Sequence, residues 1–139
     1  MDVADVGSIY QQLNKSNLYL LDDVYHQDVV FQDAAHCLEG WDELKRYFVN
    51  LYSNVQRCEF DIQDLQQQGS SGFITWTMAL EHPKLHRGNT IYVNGVSHIK
   101  FAEGKVIYHR DYFDLGEMLY ENLPLLGSVI RTIKQRLGE

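Results

Sequence analysis

Apolar residues in the first third of the chain recur at helical spacing. Val6, Ile9, Tyr10 and Leu13 share one helical face, the Ser16-Asn17 pair can cap a new start, and Leu18, Leu21, Val24 and Tyr25 continue the pattern. Two consecutive helices are predicted. A short apolar stretch, Val29-Val30-Phe31, follows and is closed by Gln32-Asp33. From Trp41 onward Leu44, Phe48, Leu51, Tyr52 and Val55 again recur every three or four residues, which predicts a third helix.

From Cys58 the period drops to two. Phe60, Ile62 and Leu65 lead to the Gly69-Ser70-Ser71-Gly72 turn, after which Ile74, Trp76 and Met78 alternate with Thr75 and Thr77. A second turn region holds Pro83 and Gly88. The run from Asn89 to Phe101 is rich in Ile, Val, Tyr and Thr, and Glu103-Gly104 turns it into a partner running from Val106 to Phe113. Pro124 suits the first turn of a closing helix, in which Leu126, Val129, Ile130, Ile133 and Leu137 share a face while Arg131, Lys134 and Arg136 stay wet. Such a helix is expected to cover a pocket or a partner subunit. Helices first and antiparallel strands afterwards give an α+β domain, with helices on one face of a curved sheet able to enclose a pocket.

Composition narrows the class. A chain of 139 residues, 45% hydrophobic and 22% charged, without linker or internal repeat, is one globular domain over residues 1–139. Twelve Lys and Arg against nineteen Asp and Glu leave a net charge of −7, which repels a phosphate backbone and disfavours nucleic acid as a partner. No apolar run approaches the roughly 18 residues of a membrane span, and Met1-Asp2-Val3-Ala4-Asp5 is acidic, unlike a secretory or transit segment. A cytoplasmic location is expected. Cys37 and Cys58 form no CxxC pattern and read as free thiols. His82 and His86 are four residues apart, but Pro83 and Gly88 break any helix there, so no metal site is expected.

The most telling stretch runs from Gly95-Val96-Ser97-His98-Ile99-Lys100-Phe101 through Glu103-Gly104-Lys105 to Arg110-Asp111-Tyr112-Phe113-Asp114. It resembles the last hairpin of the SnoaL-like branch of the nuclear transport factor 2-like (ketosteroid isomerase-like) superfamily, and Tyr25-His26-Gln27-Asp28-Val29-Val30-Phe31-Gln32-Asp33 resembles that family's first strand. The resemblance spans about residues 6–120 and leaves 121–139 as the C-terminal helix. It implies a cone-shaped α+β fold, with N-terminal helices packed on a strongly curved, mostly antiparallel sheet enclosing a hydrophobic pocket. It also implies a homodimer through the outer sheet face, with His98 on that outer surface. Isomerases, epoxide hydrolases, dehydratases, polyketide cyclases and non-catalytic binders share the fold, so function rests on the site.

Two carboxylates are candidates. Val30-Phe31-Gln32-Asp33-Ala34 resembles the strand that carries the general-base Asp of ketosteroid isomerase-like members, with Ala34 in place of Pro. A carboxylate beside Phe31 on an apolar wall would have its pKa raised by desolvation, which suits proton abstraction, whereas a turn Asp at a strand end would simply cap local backbone. Counting back from Phe101 to that family's acid position reaches Ser97, and its helical Tyr donor falls at Ile9, beside Tyr10. Asp111 matches the water-activating Asp of limonene-epoxide hydrolase-like members, although Trp76 and Met78 stand where those carry an Arg and an Asp.

Alternation places His109 and Asp111 on one face, within reach of a shared proton network. The catalytic candidates are therefore Asp33, Asp111, His109 and Tyr10, with Tyr10 or His109 as donor to an oxyanion. Phe31, Phe48, Tyr52, Trp76, Met78, Ser97, Ile99, Phe101 and Phe113 are the expected lining for a small hydrophobic or aromatic ligand. No cofactor is implied. One function is Asp-based acid/base chemistry of isomerase, cyclase or hydrolase type; the other is a non-catalytic ligand-binding or protein-interaction module.

Overall fold

A computed structural model describes residues 1–120, 122, 123 and 125–138. Helix α1 (Val3–Gln12) starts at a capping box in which Asp2 and Asp5 each accept the other's backbone N–H. Its inner face presents Val3, Val6 and Gly7 to the sheet, and Gly7 sits so close that a Cβ there would meet Ile62 at 3.3 Å.

The second predicted helix is a single 3-10 stretch, Leu18–Asp23, and Tyr25 belongs to the strand after it. Asn17 does not cap forward. Its amide turns back, donating to the Gln12 carbonyl at 2.6 Å and accepting from the Asn14 N–H at 2.7 Å. Asp22, at the end of the stretch, accepts from the Trp41 indole and from Lys45, which ties it to the next helix.

Strand β1 (Tyr25–Gln32) and the short β2 (Cys37–Glu39) lead into α2 (Trp41–Asn54). The inward face of α2 carries Trp41, Leu44, Phe48 and Tyr52, the periodicity the sequence shows. Then come β3 (Arg57–Gln68), β4 (Ser71–Glu81), β5 (Ile91–Ala102) and β6 (Lys105–Phe113). A register shift between Ile62 and Leu65 explains why those apolar residues stand three apart in a strand of period two.

The six strands form one strongly curved, unclosed sheet in the order β2-β1-β6-β5-β4-β3. All neighbours run antiparallel except β1 and β6, whose parallel pairing sets Phe31 beside His109. The core lies between this sheet and α1 and α2.

After β6 the chain makes a π-helical turn, Gly116–Tyr120, before the closing helix α3 (Leu126–Leu137). Pro124, expected in the first turn of that helix, lies outside the described residues. The predicted apolar stripe is present, but Leu126, Val129, Ile133 and Leu137 are exposed. None of the described residues of α3 lines the inner cavity, so the expected pocket cover is not where α3 sits. Met118, Leu119 and Leu123, in the segment before it, hold that place. No helix among the described residues is long and apolar enough to cross a membrane.

Candidate active site

Between α2, the inner face of the sheet and the side chains of Met118, Leu119 and Leu123 lies a cavity of about 440 Å³. Its walls are mainly apolar and aromatic. Phe31 comes from β1, Phe48 and Tyr52 from α2, Trp76 and Met78 from β4 and Phe113 from β6, and all six border this cavity. Ile99 and Phe101 are not at this wall. Ile99 is wholly buried at a small void beneath α1, and Phe101, beyond a register shift after Lys100, packs against the core. Ser97 lines the same small void.

Asp111 lies between the two spaces and lines both. Its Oδ1 faces the His109 Nε2 at 2.7 Å and accepts from the Ser97 hydroxyl, which in turn accepts from the Trp76 indole N–H at 2.9 Å. The cause is register. Ser97 and Asp111 pair directly across β5 and β6, and His109 is two residues back on the same face.

On the other side of the imidazole, the Tyr25 hydroxyl stands 2.8 Å from Nδ1 and also bonds the Tyr10 hydroxyl. Tyr25 is held between rings: it stacks on Trp41 at 5.2 Å and on His109 at 5.9 Å. Hydrogen directions follow from the partners. With Asp111 ionised and His109 neutral, Tyr10 donates to Tyr25, Tyr25 donates to Nδ1, and the Nε2 proton is given to the carboxylate. Two donor chains thus converge on one carboxylate oxygen. Among the described residues Oδ2 of Asp111 has no hydrogen-bond partner, and the side chain is 19% exposed against 2% for His109.

Burial, reinforced by Tyr25 and Asp111, pushes the Tyr10 phenol well above its ordinary value, and burial raises Tyr25 likewise. Both phenols stay neutral at physiological pH and act through hydrogen bonds, not as phenolates.

Asp33 reaches the same cavity from β1's end. Its Oδ1 accepts from the backbone N–H groups of Ala35 and His36, at 2.8 and 2.7 Å, and stands 3.1 Å from His36 Nδ1. Oδ2 accepts from the Tyr47 hydroxyl at 3.1 Å. The side chain is 7% exposed and both oxygens have protein partners, the arrangement of a turn-capping Asp. Burial, with Asp33 alongside, raises the Tyr47 phenol.

Sequence reasoning did not single out Tyr25, Tyr47 or Cys58. The Tyr25-to-Asp33 strand pattern carried a signal for the first, since it sets Tyr25 on the same side as Val29 and Phe31. Cys58 lies at the cavity wall next to the Tyr52 phenol, which is buried without a hydrogen-bond partner among the described residues. Burial pushes the Cys58 thiol up to about 11, so it is no nucleophile at neutral pH. Among the described residues no group of three or more His, Cys, Asp or Glu is placed to hold a metal ion.

The outer sheet face is separate from this site. His98 stands there as expected, stacked on Phe73 at 4.4 Å and bonded to Ser71, with Arg110 over the Tyr112 ring.

No curated protein matches the chain by sequence. Among solved structures, it resembles a protein from Catenulispora acidiphila with a ketosteroid isomerase-like fold, solved with trimethylamine, at TM-score 0.73 and 14% identity over 88% of this chain and 92% of that one. An LEH-like epoxide hydrolase from M. tuberculosis superposes at TM-score 0.70 and 18% identity, covering 91% and 92%. A SnoaL-like polyketide cyclase described as putative, from Shewanella denitrificans, gives TM-score 0.69 and 17% identity, covering 86% and 96%. Identities this low speak to fold and leave activity to the site. The SnoaL-like domain family matches residues 6–109, from the middle of α1 to the His109 that holds Asp111, and the chain belongs to that family.

Proposed function

We propose that this SnoaL-like chain binds a small apolar or aromatic molecule in the inner cavity and presents Asp111 to the ligand's polar group as an acid/base. The observation that carries this reading is the state of the Asp111 carboxylate: one oxygen is fixed by Ser97 and His109 while the other has no partner among the described residues and lies at an apolar wall. Such a carboxylate is oriented for proton transfer without being neutralised by an Arg or Lys. Isomerisation, cyclisation and hydrolysis all begin with a proton removed from carbon, oxygen or water. The structural neighbours described as an epoxide hydrolase and a polyketide cyclase are proteins of that general kind.

A second reading, a non-catalytic binder, is supported by Asp33. Its oxygens are taken up by the turn and Tyr47, which removes the second carboxylate an acid/base pair would use. Dimerisation through the outer sheet face belongs to the same proposal; Phe73, Tyr92 and Tyr112 are exposed there, and sedimentation of a Phe73→Glu variant would test it.

Native mass spectrometry of the freshly purified protein would identify a co-purifying molecule. With a panel of enolisable ketones and epoxides, Asp111→Asn should abolish turnover while changing the affinity of these neutral ligands by no more than about threefold. Undiminished turnover in the variant would remove Asp111 as the base. Tight binding with no turnover by the unmodified protein would leave the carrier.

A further inference from the structure

The polar groups of the inner wall are sorted by kind. Close to Asp111 its side-chain donors are committed within the protein: the Trp76 indole to Ser97, the Tyr47 hydroxyl to Asp33, and the Tyr10 hydroxyl, in the assignment above, to Tyr25. The Tyr52 hydroxyl is sealed in the wall. What remains open beside Asp111 is acceptors, namely its own Oδ2 and the lone pairs of the Tyr10 and Tyr47 oxygens. Two further donors of the lining, the half-buried His82, whose Nδ1 accepts from the Lys84 backbone N–H, and the exposed Lys84 ammonium, sit in the loop between β4 and β5.

Around the Asp111 carboxylate stand aromatic rings. Trp76 is linked to it through Ser97 and lies 6.4 Å from Phe113, and Phe60 meets Trp76 edge-on at 5.4 Å. Phe31 packs on His109 at 4.8 Å. With His109 neutral, as in the hydrogen assignment above, neither of the carboxylate's partners, Ser97 and His109, brings it a counter-charge.

We infer that the ligand of this cavity is an amine: an apolar, ring-sized body carrying an ammonium group whose N–H donates to Asp111 Oδ2 while its charge lies against the neighbouring ring faces. The inference rests on the reading of the cavity as a ligand site and names the ligand's chemical class. An ammonium group supplies both the donor and the charge that the wall lacks, and a charge-assisted bond is shorter and stronger than a neutral one. Ring faces add attraction for a cation. A neutral alcohol can donate to Oδ2 but brings no charge. A carboxylate or enolate ligand would set a second negative charge against Asp111.

Calorimetric titration with three probes of one shape tests this: 2-naphthylmethylamine, 2-naphthalenemethanol and 2-naphthoate, each against the full chain near pH 7, where the amine is protonated. The amine should bind at least about tenfold more tightly than the alcohol, with the carboxylate weakest. In Asp111→Asn the amine should fall to the level of the alcohol, and the alcohol should stay within about threefold of its original affinity. If the alcohol or the carboxylate binds the unmodified protein as well as the amine does, the amine assignment is overturned and the cavity remains a ligand site. Failure of all three to bind would overturn the cavity reading as well. The probe series on the unmodified protein decides the question even if the variant does not fold.

Discussion

The Trp76 indole occupies the space where a side chain at Gly95 would stand. The two residues pair directly across β4 and β5, and a Cβ on Gly95 would come within 2.3 Å of the ring's Cη2. Glycine is required there by close approach, with no demand on its dihedral angles. Gly95→Ala should push the indole away from Ser97, costing about 1–3 kcal/mol as an overpacked core position does. Urea unfolding would measure the loss, and a shift in tryptophan emission would report the displaced ring. An unchanged midpoint with unchanged emission would contradict the close packing.

Tyr25, the first residue of β1, brings the start of that strand into the site. Removing its hydroxyl in Tyr25→Phe leaves His109 Nδ1 and the Tyr10 hydroxyl without their partner in a buried setting. The expected loss is about 1–3 kcal/mol. The more specific readout is nitrogen NMR of the His109 ring. In the neutral ring the unmodified protein should keep the proton on Nε2, and the variant should show a mixture of tautomers. A ring spectrum identical in the two proteins would mean that Tyr25 does not set the tautomer.

How much of this site was legible in the sequence depends on the range of the contacts that build it. His109 and Asp111 are neighbours on one strand, so a period of two was enough to bring them together. Ser97 was reached by counting back from Phe101 as a weak oxyanion donor. Its observed role, donation to Asp111, is set by the β5–β6 register, which the Glu103-Gly104 turn fixes locally but no composition argument displays. Tyr25 fits a helical face with Leu18 and Leu21 as well as it fits a strand. The parallel pairing of β1 with β6 decides between them, and that pairing joins segments some eighty residues apart in number, as Phe31 and His109 show.

Ile99 and Phe101 illustrate a different limit. Alternation says which face of a strand a residue takes, not how far along the strand a cavity runs, and α1 closes that end of the sheet over Ile99. The apolar stripe of α3 was likewise readable as a stripe, while its place outside the cavity was not.

Tyr52 yields a prediction of opposite sign to Tyr25. Its hydroxyl is buried with no partner among the described residues but the neighbouring Cys58 thiol, which is too weak a partner to offset the desolvation. Tyr52→Phe removes the oxygen and keeps the ring that lines the cavity. Stability should be unchanged or rise by about 1 kcal/mol, read from the urea midpoint. A loss of more than about 1 kcal/mol would show that the hydroxyl does hold a bond in solution.

Alkaline pH should loosen the fold through the groups around the same cavity. Burial pushes the Cys58 thiol from its ordinary 9.0 up to about 11, and burial also raises the phenols of Tyr10, Tyr25, Tyr47 and Tyr52. Each group is favoured in its neutral form by folding. Between the two thiol values the unfolded chain has already lost the proton that the native state keeps, so native stability falls as pH rises. For Cys58 the stabilisation is fully present below 9.0 and is lost by about pH 11, an effect on the order of 2–3 kcal/mol, with the tyrosines adding in the same direction above it. Urea midpoints from pH 7 to 11 should therefore decline, and Cys58→Ala should flatten the first part of that decline. The thiols themselves give a faster check at pH 8. The exposed Cys37 should react with Ellman's reagent at once, while Cys58 should react only after unfolding. Prompt reaction of both in the native protein would mean that the wall beside Tyr52 opens to solvent.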